Sequence, residues 1–118
     1  MVTEQNTARA MGSGTLEVFA TPAMVALMEA AAYRSVAEAL EPGTGTGTVG
    51  TLMNIQHVSA TPVGMRVTAE SELVEIDGRR LVFTVKALDE AGVIGTGTHE
   101  RFIVADEKFM AKAEKKRG

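Results

Sequence analysis

Apolar residues recur on a helical period over residues 21–41. Val25, Met28, Ala32, Val36 and Leu40 form one stripe at i, i+3/i+4 spacing. Thr21 reads as the N-cap of this helix, and Pro22 takes the first helical position, where its missing N–H costs nothing. Pro42-Gly43 is a stop signal. At ~1.5 Å per residue such a helix reaches about 30 Å, enough to span a sheet. The run Thr44-Gly45-Thr46-Gly47-Thr48 reads as a loop entering a strand.

Beyond residue 48 the period changes from helical to alternating. Four strands are predicted, over residues 49–60, 65–76, 79–88 and 93–105. Asp77-Gly78 is a hairpin signal and Asp89-Glu90-Ala91-Gly92 a looser one, while Thr61-Pro62-Val63-Gly64 separates the first two strands. Connections this short predict antiparallel neighbours in chain order. Residues 106–117 read as a short basic helix. With no internal repeat and no linker, residues 1–118 are expected to form a single α+β domain, one long helix laid across an antiparallel sheet. The sheet's other face and its edges need cover, which a second copy of the chain would supply.

Composition narrows the chemistry. The chain has 118 residues, 45% of them hydrophobic and 23% charged, enough to bury a core without covalent staples. It contains no cysteine, which excludes disulfides and thiol nucleophiles. His57 and His99 are its two histidines, so a histidine-rich metal site is not expected. A formal charge of −3 argues against nucleic-acid or membrane-surface partners. The opening MVTEQNTARAMGSG has no basic or apolar run of the signal-peptide kind, and no apolar stretch approaches the ~20 residues of a membrane helix. A cytoplasmic location is expected.

Glu29 is the first candidate for chemistry because it falls inside the apolar stripe. It either snorkels out or pairs with an arginine such as Arg101, or it serves as a general base. Thr21 is an ordinary capping residue, or a hydroxyl at a helix N-terminus, where the dipole favours an oxyanion. His57 shares the alternation of Val49, Thr51, Met53 and Ile55, so it is a core or interface histidine, or a base. His99 and Arg101 share one face of the last strand after Gly95 and Gly97, glycines that mark a bulge or a close backbone approach. Arg101 is then a solvated charge, or it holds a carboxylate or a phosphate.

Several segments in combination resemble the fluoroacetyl-CoA thioesterase family of hotdog-fold proteins. They are Val18-Phe19-Ala20-Thr21 through Met24-Val25-Ala26-Leu27-Met28-Glu29, Leu40-Glu41-Pro42-Gly43, Val49-Gly50-Thr51 leading to His57, Ala60-Thr61-Pro62-Val63-Gly64, Gly95-Thr96-Gly97-Thr98-His99-Glu100-Arg101, and Lys108-Phe109. The resemblance implies a hotdog fold with a short C-terminal helix. It implies acyl-CoA thioester hydrolysis at the interface of a homodimer, without metal or resident cofactor, coenzyme A being part of the substrate. The family's functional threonine, glutamate and histidine fall on Thr21, Glu29 and His57, and its substrate-side glycine and arginine on Gly50 and Arg101. The family's fluoroacetyl-specific enzyme has a phenylalanine gate before its helix. The equivalent segment here, Ala10 to Thr15, has no aromatic residue, so little preference for fluoroacetyl over acetyl is expected. A non-catalytic acyl-CoA or small-ligand binding module and an enoyl thioester hydratase are the alternatives, and pairing of dimers into tetramers is left open.

Overall fold

The computed structural model describes residues 1–40 and 45–118. A short helix α1 (Ala8–Met11) precedes the long helix α2 (Thr21–Ala37), which ends in a 3₁₀ turn at Glu38–Leu40. Strands β1 (Thr46–His57), β2 (Thr68–Asp77), β3 (Arg80–Asp89) and β4 (Gly92–Ala105) follow, then helix α3 (Asp106–Glu114) and a last 3₁₀ turn at Lys115–Arg117. The helix-on-sheet α+β architecture expected from the sequence is observed. The helix stop expected at Pro42-Gly43, with Glu41 and Thr44 on either side, lies outside the described residues.

The sheet is antiparallel in the order β1-β4-β3-β2. Strands β2, β3 and β4 form the expected meander, but β1 pairs with β4 rather than with its successor. Residues 58–67 therefore cross from one edge of the sheet to the other. The crossing is tied down by Phe19 N–H to Thr61 O at 2.8 Å and Val58 N–H to Ile94 O at 2.7 Å. The chain before Thr21, for which no element was expected, is also ordered. Thr7 caps α1, and Val2, 1% exposed, bonds to Met65 and Gly64.

Met24, Met28, Ala32 and Val36 form a ridge at i+4 spacing, buried against Leu81, Phe83, Val85 and Ala87 of β3. The ridge keeps Met28, Ala32 and Val36 of the stripe read from the sequence and has Met24 in place of Val25, which is half-buried beside it. Gly95 lets the ridge lie close to the sheet, because a Cβ there would fall 2.6 Å from Met24 Sδ. The outward face of the sheet carries Glu70, Glu72, Thr84, Lys86 and Thr96, all exposed. Leu52, Val82, Phe102 and Val104 share that face toward β1, so its polar part lies on the β2 side.

Two carboxylates brace the sheet. Asp89 accepts hydrogen bonds from the Thr61 hydroxyl at 2.7 Å and from Ala91 N–H at 2.8 Å, which holds its pKa below the usual carboxylate range. Glu100 is lowered by its hydrogen bond from Arg80 Nε at 2.7 Å. A carboxylate whose pKa is depressed on folding stabilises above its unfolded pKa, and that contribution is lost as pH falls through the folded value. Asp89→Asn is thus expected to lower the melting temperature by a few degrees at pH 7, with the deficit shrinking below about pH 4. An equal deficit at pH 7 and pH 3 would show that the charge on Asp89 is not what matters.

Candidate active site

Thr21 is not the helix cap. Ala20 holds the cap position with φ −72° and ψ 139°, and no side chain caps α2. Thr21 is the first helical residue, so its hydroxyl is free for another partner, and it meets His57 Nδ1 at 2.8 Å. His57 ends β1, and its Nε2 is buried without a hydrogen-bond partner among the described residues. Leaving such an atom unsatisfied costs about 1–3 kcal/mol, a cost that folds tolerate at sites of function. The pair opens onto a cleft of about 270 Å³ lined by Ser13, Val18, Phe19, Ser59 and Ala60. Phe19 supplies an aromatic wall that lies outside residues 10–15, the segment in which no aromatic occurs. Its signal was its place two residues before Thr21.

Glu29 and Gly50 lie elsewhere, over the middle of β1. Glu29 is half-exposed, and its Oε2 accepts from Arg101 Nη1 at 3.4 Å. Gly50 makes room for that carboxylate, since a Cβ there would lie 2.6 Å from Glu29 Oε2 and 3.3 Å from His99 Cε1. Glu29, Gly50, Thr51, Met53 and His99 line a second cleft of about 230 Å³. The chain therefore brings Thr21 to His57, and Glu29 to Gly50 and Arg101. Among the described residues Glu29 is bonded to Arg101 and to neither Thr21 nor His57.

Arg101 is 6% exposed, and its donors are directed inward. Nε donates to Thr48 Oγ1 at 2.9 Å and Nη2 to Thr48 O at 3.0 Å, and Nη1 is shared between Glu29 and His99 Nε2. Its guanidinium also lies over the Tyr33 ring, 5.9 Å from the centroid. Of the two roles read for it, this enclosure favours holding a carboxylate over reaching an outlying phosphate. Among the described residues no group of three or more His, Asp or Glu is placed to hold a metal ion.

Gly50 and His57 are seven residues apart, an odd spacing that in a regular strand sends side chains to opposite faces. A bulge between Gly50 and Leu52 resets the alternation. Thr48 and Gly50 before it, and Met53, Ile55 and His57 after it, all face α2. Sequence alternation alone had grouped His57 with Val49 and Thr51.

The chain is similar to known proteins over most of its length. The profile of the fluoroacetyl-CoA-specific thioesterase family matches residues 2–107. A fluoroacetyl-CoA thioesterase of Streptantibioticus cattleyicolor is 49% identical over 100 residues, covering 85% of this chain and 70% of that protein. A crystal structure of a mutant of the fluoroacetyl-CoA-specific thioesterase FlK, in complex with fluoroacetate and CoA, superimposes with a TM-score of 0.91. It is 42% identical and covers 99% of this chain and 94% of that one. A thioesterase superfamily member from Thermus thermophilus gives a TM-score of 0.89 at 29% identity, covering 99% and 85%.

Fold and relatives together define a hotdog-fold thioesterase, a thioester hydrolase. Within that class the chain belongs to the fluoroacetyl-CoA-specific thioesterase family.

Gly50→Ala tests the second cluster directly. The added methyl must displace the Glu29 carboxylate by about an ångström, so thioester turnover is expected to fall by about 10²-fold with the fold retained. Unchanged kcat in a stably folded Gly50→Ala protein would remove the Glu29–Gly50 contact from the site.

Proposed function

We propose that this protein hydrolyses the thioester of small acyl-CoAs, with Thr21, His57 and Glu29 as the reacting groups. The observation that carries this is the 2.8 Å contact between the Thr21 hydroxyl and His57 Nδ1, the separation of a nucleophile from its base. In this reading His57 Nδ1 takes the hydroxyl proton as Thr21 Oγ1 attacks the thioester carbonyl. The carbon–sulfur bond breaks, the CoA thiolate leaves with that proton, and an acyl-threonine remains. Water then gives a proton to Glu29 and attacks the acyl ester; the acyl–oxygen bond breaks, the carboxylic acid leaves, and Glu29 passes that proton to Thr21 Oγ1. The uncapped N-terminal end of α2 lies beside the reacting oxygen, where its dipole favours the developing negative charge. Gly50 offers bare backbone on the substrate side, and Arg101 holds the Glu29 carboxylate in place.

The division of these residues between two clefts is explained by a homodimer that pairs along β1. This strand is an edge of the sheet, with Leu52 44% exposed. Antiparallel pairing of β1 with its copy about a two-fold axis near Met53 and Asn54 sets Gly50 opposite the partner's His57. Glu29 of one subunit then meets the Thr21–His57 pair of the other, a meeting the separate chain does not make. No described helix is long and apolar enough to cross a membrane, and the compartment proposed is the cytoplasm.

Release of free thiol from acetyl-CoA separates hydrolysis from a binding module and from an enoyl hydratase, neither of which frees CoA. Thr21→Ala, His57→Ala and Glu29→Gln are each expected to lose about 10²-fold or more in kcat, with Thr21→Ser retaining activity. Mixing unfolded Thr21→Ala and Glu29→Gln chains and refolding them tests the shared site. Heterodimers carry one site with both defects and one with none, so the mixture is expected to recover about a quarter of wild-type turnover. A mixture no more active than its components would place each site within one subunit.

Substrate choice follows from the cleft beside Thr21. Ser13, Ser59 and Ala60 leave it open, and Phe19 walls one side. Fluoroacetyl-CoA and acetyl-CoA are expected to be hydrolysed with kcat/KM values within about tenfold of each other. A preference of several hundredfold for the fluorinated ester would show that Phe19 or a neighbouring residue does the work of a gate.

A further inference from the structure

His99 is 1% exposed, and both of its ring nitrogens are committed. Nδ1 lies 2.8 Å from the Leu52 carbonyl, and Nε2 lies 3.2 Å from Arg101 Nη1. A carbonyl oxygen only accepts and a guanidinium only donates. The proton must therefore sit on Nδ1, and Nε2 must be bare. Phe83 stacks on the ring, 6.0 Å between centroids at 27°. This histidine is held as one neutral tautomer with no nitrogen left for substrate.

The two groups it holds are those that place Glu29. Arg101 Nη1, which donates to His99 Nε2, is the same nitrogen that reaches Glu29 Oε2. Leu52 is the first residue of β1 to pair again after the bulge, two residues beyond Gly50, whose missing Cβ leaves space for the Glu29 carboxylate. We infer that His99 is a positioning residue for Glu29: as a locked neutral imidazole it fixes Arg101 through Nε2 and the β1 bulge beside Gly50 through Nδ1–H. The inference rests on the catalytic role proposed above for Glu29.

The test is a double-mutant cycle between His99 and Glu29, with acetyl-CoA as substrate and thiol release as the readout. His99→Phe keeps the ring and its stacking on Phe83 and removes both hydrogen bonds. It is expected to lower kcat by about ten- to a hundredfold with KM changed less than about threefold. In a Glu29→Gln background the same change is expected to cost less than about twofold, because its effect runs through the missing carboxylate. His99→Gln, which can still accept from Arg101, is expected to recover most of the lost kcat. Should His99→Phe fail to fold, His99→Asn replaces it, keeping a donor toward Leu52 and losing the acceptor toward Arg101. A His99 loss that is as large in the Glu29→Gln background as in the wild type overturns the inference. So does wild-type kcat in His99→Phe beside an impaired Glu29→Gln. Full activity in Glu29→Gln itself would instead sink the role given to Glu29.

Discussion

Thr51 is one residue more than β4 can pair. Gly50 is opposite Arg101 and Leu52 is opposite Glu100, which leaves Thr51 between them without a partner. Its hydroxyl donates to the Glu100 carbonyl at 3.3 Å, and His99 meets the Leu52 carbonyl on the other side. The extra residue decides which face every later side chain of β1 occupies. A regular strand from Thr48 onward would send Met53, Ile55 and His57 away from α2 and bring Leu52, Asn54 and Gln56 under it. That arrangement would bury amides against the helix and leave Thr21 without its histidine. The bulge is thus a condition both of the core and of the pairing from which the proposed chemistry starts.

The helix sets the second condition. Thr21 and Glu29 are eight residues apart, about 12 Å along α2. Between them Met24 and Met28 enter the core with no exposed surface at all. Burying two such side chains is worth about 1.5–3 kcal/mol each, so the stretch of helix joining the two clusters is the part least free to bend. Rearrangement within one chain is an expensive way to bring Glu29 to Thr21. The proposed symmetric pairing along the β1 edge would do it without moving either residue relative to its own core, and would also satisfy the exposed backbone of that edge.

Much of this was legible in the sequence where a local signal has one physical meaning. The apolar period located α2, and alternation located four strands to within a few residues. Asp77-Gly78 marked a real hairpin, with Gly78 at φ 61°. Glu29 stands out because a carboxylate inside an apolar stripe demands an explanation, and pairing with an arginine such as Arg101 is one of those the sequence offers. The features that escaped are those that local pattern does not encode. The placement of β1 beside β4 rather than β2 is a long-range pairing. The bulge at Thr51 is invisible because threonine suits either face of a strand. Thr21 was misread as a cap because threonine before proline has the capping pattern, although the backbone turn begins one residue earlier, at Ala20.

The two histidines show how hydrogen bonding, rather than residue type, assigns a chemical role. Both lie on the helix-facing side of neighbouring strands, and both are largely shielded from water. His99 donates its N–H to a carbonyl and accepts a hydrogen bond from an arginine, so both of its nitrogens are engaged. It is well suited to holding other groups still. His57 has one nitrogen on a hydroxyl and, among the described residues, nothing on the other, so its tautomer is not dictated by them. With the proton on Nε2 it accepts from Thr21, and with the proton on Nδ1 it donates to the same oxygen. Only the first of these lets Nδ1 take the hydroxyl proton, so the proposed base is the tautomer that carries its own proton on Nε2. His57 thus keeps one nitrogen open to a proton, which His99 does not.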